Sequence, residues 1–347
     1  MPDAPAAQPA VITSSAQFPT VESTPEAPAS PAPQTVLGPK VDEQKSGPKA
    51  ASTPAQSSTG LSSEQLNEKA RGSLVNILCT TRAGGSFKPI SGSGVLVDSR
   101  GVILTNAHVA QFLLLRDYGS PGNVDCVVRM GSPARAAYRA TLLYLPPAWI
   151  EQNASQITST QATGTGEGDF AFLFITGTTN PTTPLPTEFP HLPLSIASPD
   201  VGDSMLLASY PAGFLSGELT ATSLYASSAF AHVTQLFSYS SEQTRLAVDL
   251  FSIGGTIVSQ SGSSGGAAVR TDGTLAGVIV TATLAETTGQ RDLRALSVGY
   301  IDRALAASGK GGITGLLTGE LATKAADFNA ADASAERAKL EAILNKQ

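Results

Sequence analysis

The chain has 347 residues, enough for one domain of about 250 residues with roughly a hundred left to place. Charged residues make up only 14%, the formal net charge is −6, and no run of Lys or Arg is present to neutralise a phosphate backbone, so nucleic acid is excluded as the expected partner. No apolar run reaches the roughly eighteen residues needed to span a bilayer, and the two cysteines, Cys79 and Cys126, are too few for a disulfide scaffold and spaced for no metal site.

Residues 1–60 hold nearly half of the 23 prolines, with Ala, Ser, Thr and Gln and hardly a pair of adjacent large apolar side chains. They cannot bury enough surface to offset chain entropy, and the expectation is a disordered, partly polyproline-like tether. The opening Met1-Pro2-Asp3-Ala4-Pro5 lacks the basic-then-apolar pattern of a secretory signal. At Leu61 the character changes. Ser62 and Gln65 fit a capping box and Leu61 with Leu66 a hydrophobic staple, which predicts a helix running to about Arg71.

Ser73 to Cys79 then reads as the first strand of a folded domain. Ser93 to Asp98, a turn at Ser99-Arg100-Gly101, and Val102 to Thr105 form a hairpin pattern that delivers His108 just past a strand end. Val124 to Arg129 and Ala136 to Leu145 are further expected strands. Between Pro146 and Gly168 the chain reads as an insertion loop, with Trp149 as surface decoration or lid. Asp169 opens the run Phe170 to Ile175, and Thr176 to Pro193, rich in Pro and Thr, is the expected crossover to a second half.

That half repeats the all-β pattern: Ser204 to Ser209, a long pair from Glu218 to Phe237, Leu246 to Phe251, Ala267 to Val269, Leu275 to Thr283, and Ala295 to Tyr300. His191 and His232 receive no role. After Ile301 the pattern turns helical, with a terminal stretch from Asn329 to Lys346 whose short apolar face is Leu340, Ile343 and Leu344.

Three stretches carry chemistry. Gly262-Ser263-Ser264-Gly265-Gly266 must make a tight turn, and its glycines allow positive φ, so the N–H groups of Gly262 and Ser264 can point into one concavity suited to an oxyanion. Leu104-Thr105-Asn106-Ala107-His108-Val109 offers a base for a serine hydroxyl, and Gly168-Asp169-Phe170-Ala171-Phe172-Leu173 offers a carboxylate to fix that base's tautomer. Taken singly, each also reads as an ordinary turn, core histidine or turn-forming aspartate.

Together, in the order His, Asp, Ser, they resemble the trypsin-like (chymotrypsin-fold, S1-type) serine peptidases, in the flavour of the bacterial HtrA-type branch. Ser91-Gly92-Ser93-Gly94-Val95-Leu96-Val97 and Ser209-Tyr210-Pro211-Ala212-Gly213 add to the likeness, which covers roughly residues 61–305. The resemblance implies an all-β fold of two six-stranded antiparallel Greek-key barrels, the first at about 73–176 and the second at about 194–301, with a helical extension at 306–347. About forty residues after the peptidase pattern are too few for the PDZ module that HtrA-type enzymes usually carry.

By the same resemblance His108, Asp169 and Ser264 would be a triad, Gly262 and Ser264 the oxyanion hole, and a polypeptide the substrate, with no metal or organic cofactor. The pocket wall would come from Val258, Ser259 and Gln260 and from Val280, Thr281 and Ala282. None is acidic, so small or aliphatic side chains are expected at the cleaved position. Ser263 stands where the trypsin branch has an acidic residue that pairs with a freshly cut N-terminus, so activation by that salt bridge is not expected. In the implied barrel, the strands of Cys79 and Cys126 can be neighbours, which leaves a disulfide open beside two buried thiols. A disulfide would argue for an oxidising, extracytoplasmic compartment. The competing reading is a peptidase fold without turnover that serves as a tethered binding or scaffold module.

Overall fold

The computed structural model describes residues 10–12, 61–82, 89–157, 159, 165–213, 215–240, 247–282 and 290–346. The tether expected over 1–60 lies outside the described residues except for β1 (Ala10–Ile12), whose backbone pairs antiparallel with residues 236–238. Helix α1 (Ser63–Gly72) starts where expected. The Ser62 hydroxyl accepts from the Gln65 N–H and the Gln65 side chain accepts from the Ser62 N–H, while Leu66 is buried and Leu61 stays exposed.

Strands β2 (Leu74–Thr81), β3 (Ile90–Asp98), β4 (Val102–Thr105), β5 (Val124–Met130), β6 (Arg135–Tyr144) and β7 (Ala171–Thr178) close into a barrel in the order β2-β3-β4-β7-β6-β5. Helix α2 (Ala107–Ala110) and a 3-10 turn (Gln111–Leu115) separate β4 from β5. Val75, Ile77, Ile103 and Leu173 share one face of the barrel sheet, Val95 and Leu104 the other, and all six are buried. Each such side chain stabilises the fold by about 1.5–3 kcal/mol relative to exposure.

Cys79 and Cys126 face each other directly across β2 and β5 and are joined in a disulfide, which decides between the two readings left open above. The bridge closes a sequence separation of 47 residues. Replacing both cysteines by alanine is expected to lower the unfolding free energy by about 2–4 kcal/mol, read as a lower denaturant midpoint with a somewhat steeper slope, because the unfolded chain without the bridge exposes more surface. An unmoved midpoint would refute this.

The segment read as an insertion loop instead folds into α3 (Pro147–Asn153), with Pro147 in its first turn and Trp149 and Ile150 buried. Trp149 is therefore packing, not decoration.

The second sheet contains β8 (Ser204–Ser209), β9 (Ser227–His232), β10 (Gln235–Ser238), β11 (Leu250–Gly254), β12 (Ala267–Arg270), β13 (Leu275–Ala282) and β14 (Leu293–Ser297). With β1 it is ordered β1-β10-β11-β14-β13-β12-β8-β9. β9 and β10 are two halves of one strand that changes partner at Val233-Thr234. Val233 N–H donates to Asp203 O beside β8, and Thr234 N–H donates to Ser252 O of β11. The sheet thus curls back on itself as the second barrel of a chymotrypsin-like pair. The strand expected from Glu218 is displaced by a helix, α4 (Gly217–Thr222), because the Ser216 hydroxyl caps the Leu219 N–H.

Helices α5 (Val298–Ala307), α6 (Gly312–Leu317), α7 (Leu321–Ala330) and α8 (Asp332–Leu344) form the C-terminal extension. Helix α5 packs on β13 and β14 of the second barrel, while α7 and α8 pack on the first. Asn329 donates to Leu142 O at 2.7 Å, Arg337 donates to Leu114 O at 2.8 Å, and Leu340 and Leu344 are buried.

Candidate active site

His108 lies one residue into α2, where β4 has just ended and the Asn106 backbone is still extended. Three bonds tie this turn to the aspartate segment. The Asn106 side-chain N–H donates to Asp169 O at 2.8 Å, the His108 backbone N–H donates to Asp169 Oδ1 at 2.9 Å, and His108 Nδ1 lies 2.7 Å from Asp169 Oδ2. An ionised carboxylate only accepts, so Nδ1 carries the proton and Nε2 is left as the lone-pair nitrogen.

Burial pushes the His108 imidazole down, but the Asp169 charge and hydrogen bond outweigh it and hold the ring above its usual range. A general base works only when neutral, so kcat/KM should fall as pH drops through a midpoint above about 6.5. A pH profile of kcat/KM whose acid limb lies below about 6 would contradict this electrostatic balance.

The residues just before Asp169 are held from behind by Tyr300 of α5 and by Tyr239, just past β10. The Gly168 N–H donates to Tyr300 Oη at 3.0 Å, and Tyr239 Oη donates to Thr165 O at 3.0 Å. Burial, with nearby tyrosine and carboxylate groups, pushes the Tyr239 hydroxyl far up, so both rings remain neutral donors and acceptors. No periodicity or motif in the sequence marks these tyrosines, because their partners lie far away in the chain.

The Ser264 loop rests against the first barrel. Ser93 N–H donates to Ser264 O at 2.7 Å, and Thr105 Oγ1 donates to Ser93 O at 2.7 Å, so two hydrogen bonds link the loop to the strand end that carries His108. Gly265, at φ +86°, passes so close that a Cβ would sit 2.5 Å from Thr105 Oγ1 and 2.0 Å from Ser93 O. Only glycine fits there. Among the described residues, no hydrogen bond joins the His108 ring to the Ser264 hydroxyl. In unliganded hydrolases this contact is often long and tightens when substrate binds.

The oxyanion geometry follows from the peptide joining Ser261 and Gly262. Ala212 N–H donates to Ser261 O at 2.7 Å, and in a planar trans peptide the N–H points opposite to the carbonyl. The Gly262 N–H is thereby turned away from Ala212. Neither it nor the Ser264 N–H donates to any described residue. Ser93 Oγ completes the clamp by donating to Gly262 O at 2.8 Å and accepting from Tyr210 N–H at 2.8 Å. Ser93 and Ala212 lie in the two supporting motifs of the sequence, but neither was assigned a role there.

Ser263 is buried, and its hydroxyl accepts from Ser209 Oγ at 2.9 Å, a neutral pair where an acid would need a cation. The residues expected to form the pocket wall are placed unevenly. Val258 is wholly buried in the second barrel's core near Met205, Leu207 and Phe251. Ser259 is also buried, its hydroxyl accepting from Thr256 N–H and its carbonyl from Arg291 Nη1. Gln260 folds back to donate to Ile257 O, and Val280 is buried close to Gly166. Thr281 and Ala282 end β13, and their side chains lie outside the described residues.

A family profile described as a trypsin-like peptidase domain matches residues 92–278. No curated protein matches the chain. Among solved structures, it is similar to the inactive mutant form of Rv3671c from M. tuberculosis, at 17% identity over 71% of this chain and 91% of that one, with a TM-score of 0.43. The active form of the Rv3671c protease gives 16% identity over 74% and 93%, with a TM-score of 0.42. The serine endoprotease from Yersinia pestis gives 21% identity over 73% of this chain and 65% of that one, with a TM-score of 0.40.

Proposed function

Because this chain belongs to the trypsin-like peptidase family and is a serine endopeptidase, we propose that His108, Asp169 and Ser264 are its triad, with Gly262 and Ser264 as the oxyanion hole. The observation that carries the reading is the two-point grip of Asp169 on His108, which leaves Nε2 as the free base.

In the proposed mechanism His108 Nε2 takes the Ser264 hydroxyl proton as Ser264 Oγ attacks the peptide carbonyl. The charge that develops on the carbonyl oxygen is met by the N–H groups of Gly262 and Ser264. His108 then returns the proton to the leaving amine, and the acyl-enzyme is hydrolysed by a water deprotonated at the same Nε2. Asp169 stays ionised throughout and stabilises the imidazolium.

The preferred residue at the cleaved position is small or aliphatic. Supporting this, no Asp or Glu occurs among residues 258–260 and 280–282, and the side chain that donates to the Ser259 carbonyl is a cation, Arg291. Digestion of unfolded casein and of a peptide library tests both parts. Turnover with Ala, Val or Leu before the cut is expected; a dominant Lys or Arg preference rules out the pocket reading, and no turnover rules out the triad.

The Cys79–Cys126 bridge supports an extracytoplasmic site of action. Among the described residues, no helix is long and apolar enough to cross a membrane. Alkylation of free thiols in intact cells before lysis should leave both cysteines unmodified if this placement is right, and modified if it is wrong.

A further inference from the structure

Arg129 is a buried cation without a counter-charge. It is 3% exposed, and among the described residues no carboxylate pairs with it. Its Nε donates to Asn76 Oδ1 at 2.8 Å and its Nη1 to Thr220 O at 3.0 Å and Ala221 O at 2.9 Å, while Nη2 has no partner. Stability does not explain such a residue, because an apolar side chain of similar volume would avoid the desolvation cost.

Its contacts lead to the oxyanion peptide by two routes. The carbonyls of Thr220 and Ala221 are unpaired acceptors at the C-terminal end of α4, where a cation is favoured. Arg135 Nη1 adds a bond to Thr222 O at 2.9 Å. Within α4 itself the one large apolar side chain, Leu219, is 47% exposed, and the apolar anchor, the buried Leu224, lies just beyond the helix end. The two arginines of the first barrel, with Leu224, dock it, and just before it the Leu215 N–H donates to Ala212 O at 2.9 Å, while the Ala212 N–H pins Ser261 O. On the second route, Asn76 Nδ2 donates to Gly92 O at 2.7 Å, next to Ser93, whose hydroxyl pins Gly262 O.

We infer that Arg129 is a positioning residue for the oxyanion hole, fixing through α4 and Asn76 the two hydrogen bonds that orient the Ser261–Gly262 segment. This rests on the proposed role of the Gly262 N–H as an oxyanion donor. The loss of Arg129 should then weaken binding of the tetrahedral state more than binding of the substrate.

The test measures kcat, KM and the affinity of a peptide boronate, whose tetrahedral adduct places an oxygen in the hole, for wild type, Arg129→Met, Arg129→Lys and Arg135→Ala. For Arg129→Met, kcat and boronate affinity should fall together, by roughly ten- to a hundredfold, with KM within about twofold. Arg129→Lys should recover part of the loss by donating to the same carbonyls. If Arg129→Met does not fold, Arg135→Ala carries the test, with a loss of roughly three- to tenfold at unchanged melting temperature. The inference is overturned if kcat and boronate affinity stay within about twofold of wild type in the folded variants, or if kcat falls while boronate affinity does not. A wild-type enzyme with no turnover, or a Ser264→Ala variant that keeps it, would remove the underlying reading as well.

Discussion

Replacing Ser264 by alanine is expected to lower kcat on the order of a million-fold while leaving the melting temperature and KM nearly unchanged. The size follows from the loss of the nucleophile, since the remaining donors, Gly262 N–H and the residue 264 N–H, can then stabilise only direct attack by water. The fold should not respond, because among the described residues the one hydrogen bond of Ser264 is accepted by its carbonyl from Ser93 N–H. Residual catalysis over water of roughly a thousandfold is the expected remainder. A loss below about a hundredfold would place the nucleophile elsewhere.

Asp169→Asn should lower kcat by roughly ten-thousandfold, for a reason that can be traced atom by atom. One carboxylate oxygen accepts the His108 backbone N–H and the other faces Nδ1. A backbone N–H can only donate, so the asparagine oxygen must occupy the first position and its NH₂ must face the ring. Nδ1 then becomes an acceptor and the proton moves to Nε2, the nitrogen that should receive the Ser264 proton. Size and packing are preserved, so circular dichroism and stability should match wild type. A variant with more than about a tenth of wild-type kcat would show that tautomer control by Asp169 is not part of the chemistry.

The proposed site was legible because local signals and chain order agree at three separate places. The β3–β4 hairpin announces itself by its turn at Ser99-Arg100-Gly101, and β8 occupies the expected Ser204–Ser209. The capping box at Ser62 and Gln65 is a pattern of spacing alone, and it forms. Where the sequence was misleading, a local signal was weaker than its surroundings. Thr220 and Thr222 favour strand, yet the Ser216 cap and the arginines at the far end stabilise α4. Val258 was assigned to a pocket wall, but a small change of register in a turn exchanges wall for core, and the side chain joins Phe251 and Met205. The supports supplied by Tyr300, Tyr239 and Arg129 are long-range hydrogen bonds, which leave no periodic trace in a single sequence. The four C-terminal helices were only half anticipated, since α6 and α7 precede the stretch whose Ala, Glu, Lys and Leu content gave the signal.

Covalent labelling with a fluorophosphonate, followed by mass-spectrometric mapping of the adduct, reads the arrangement of base, carboxylate and hydroxyl most directly. One adduct on Ser264, lost in His108→Ala, is the predicted outcome. An adduct on Ser263 or elsewhere, no adduct, or labelling of Ser264 that survives His108→Ala would contradict the triad.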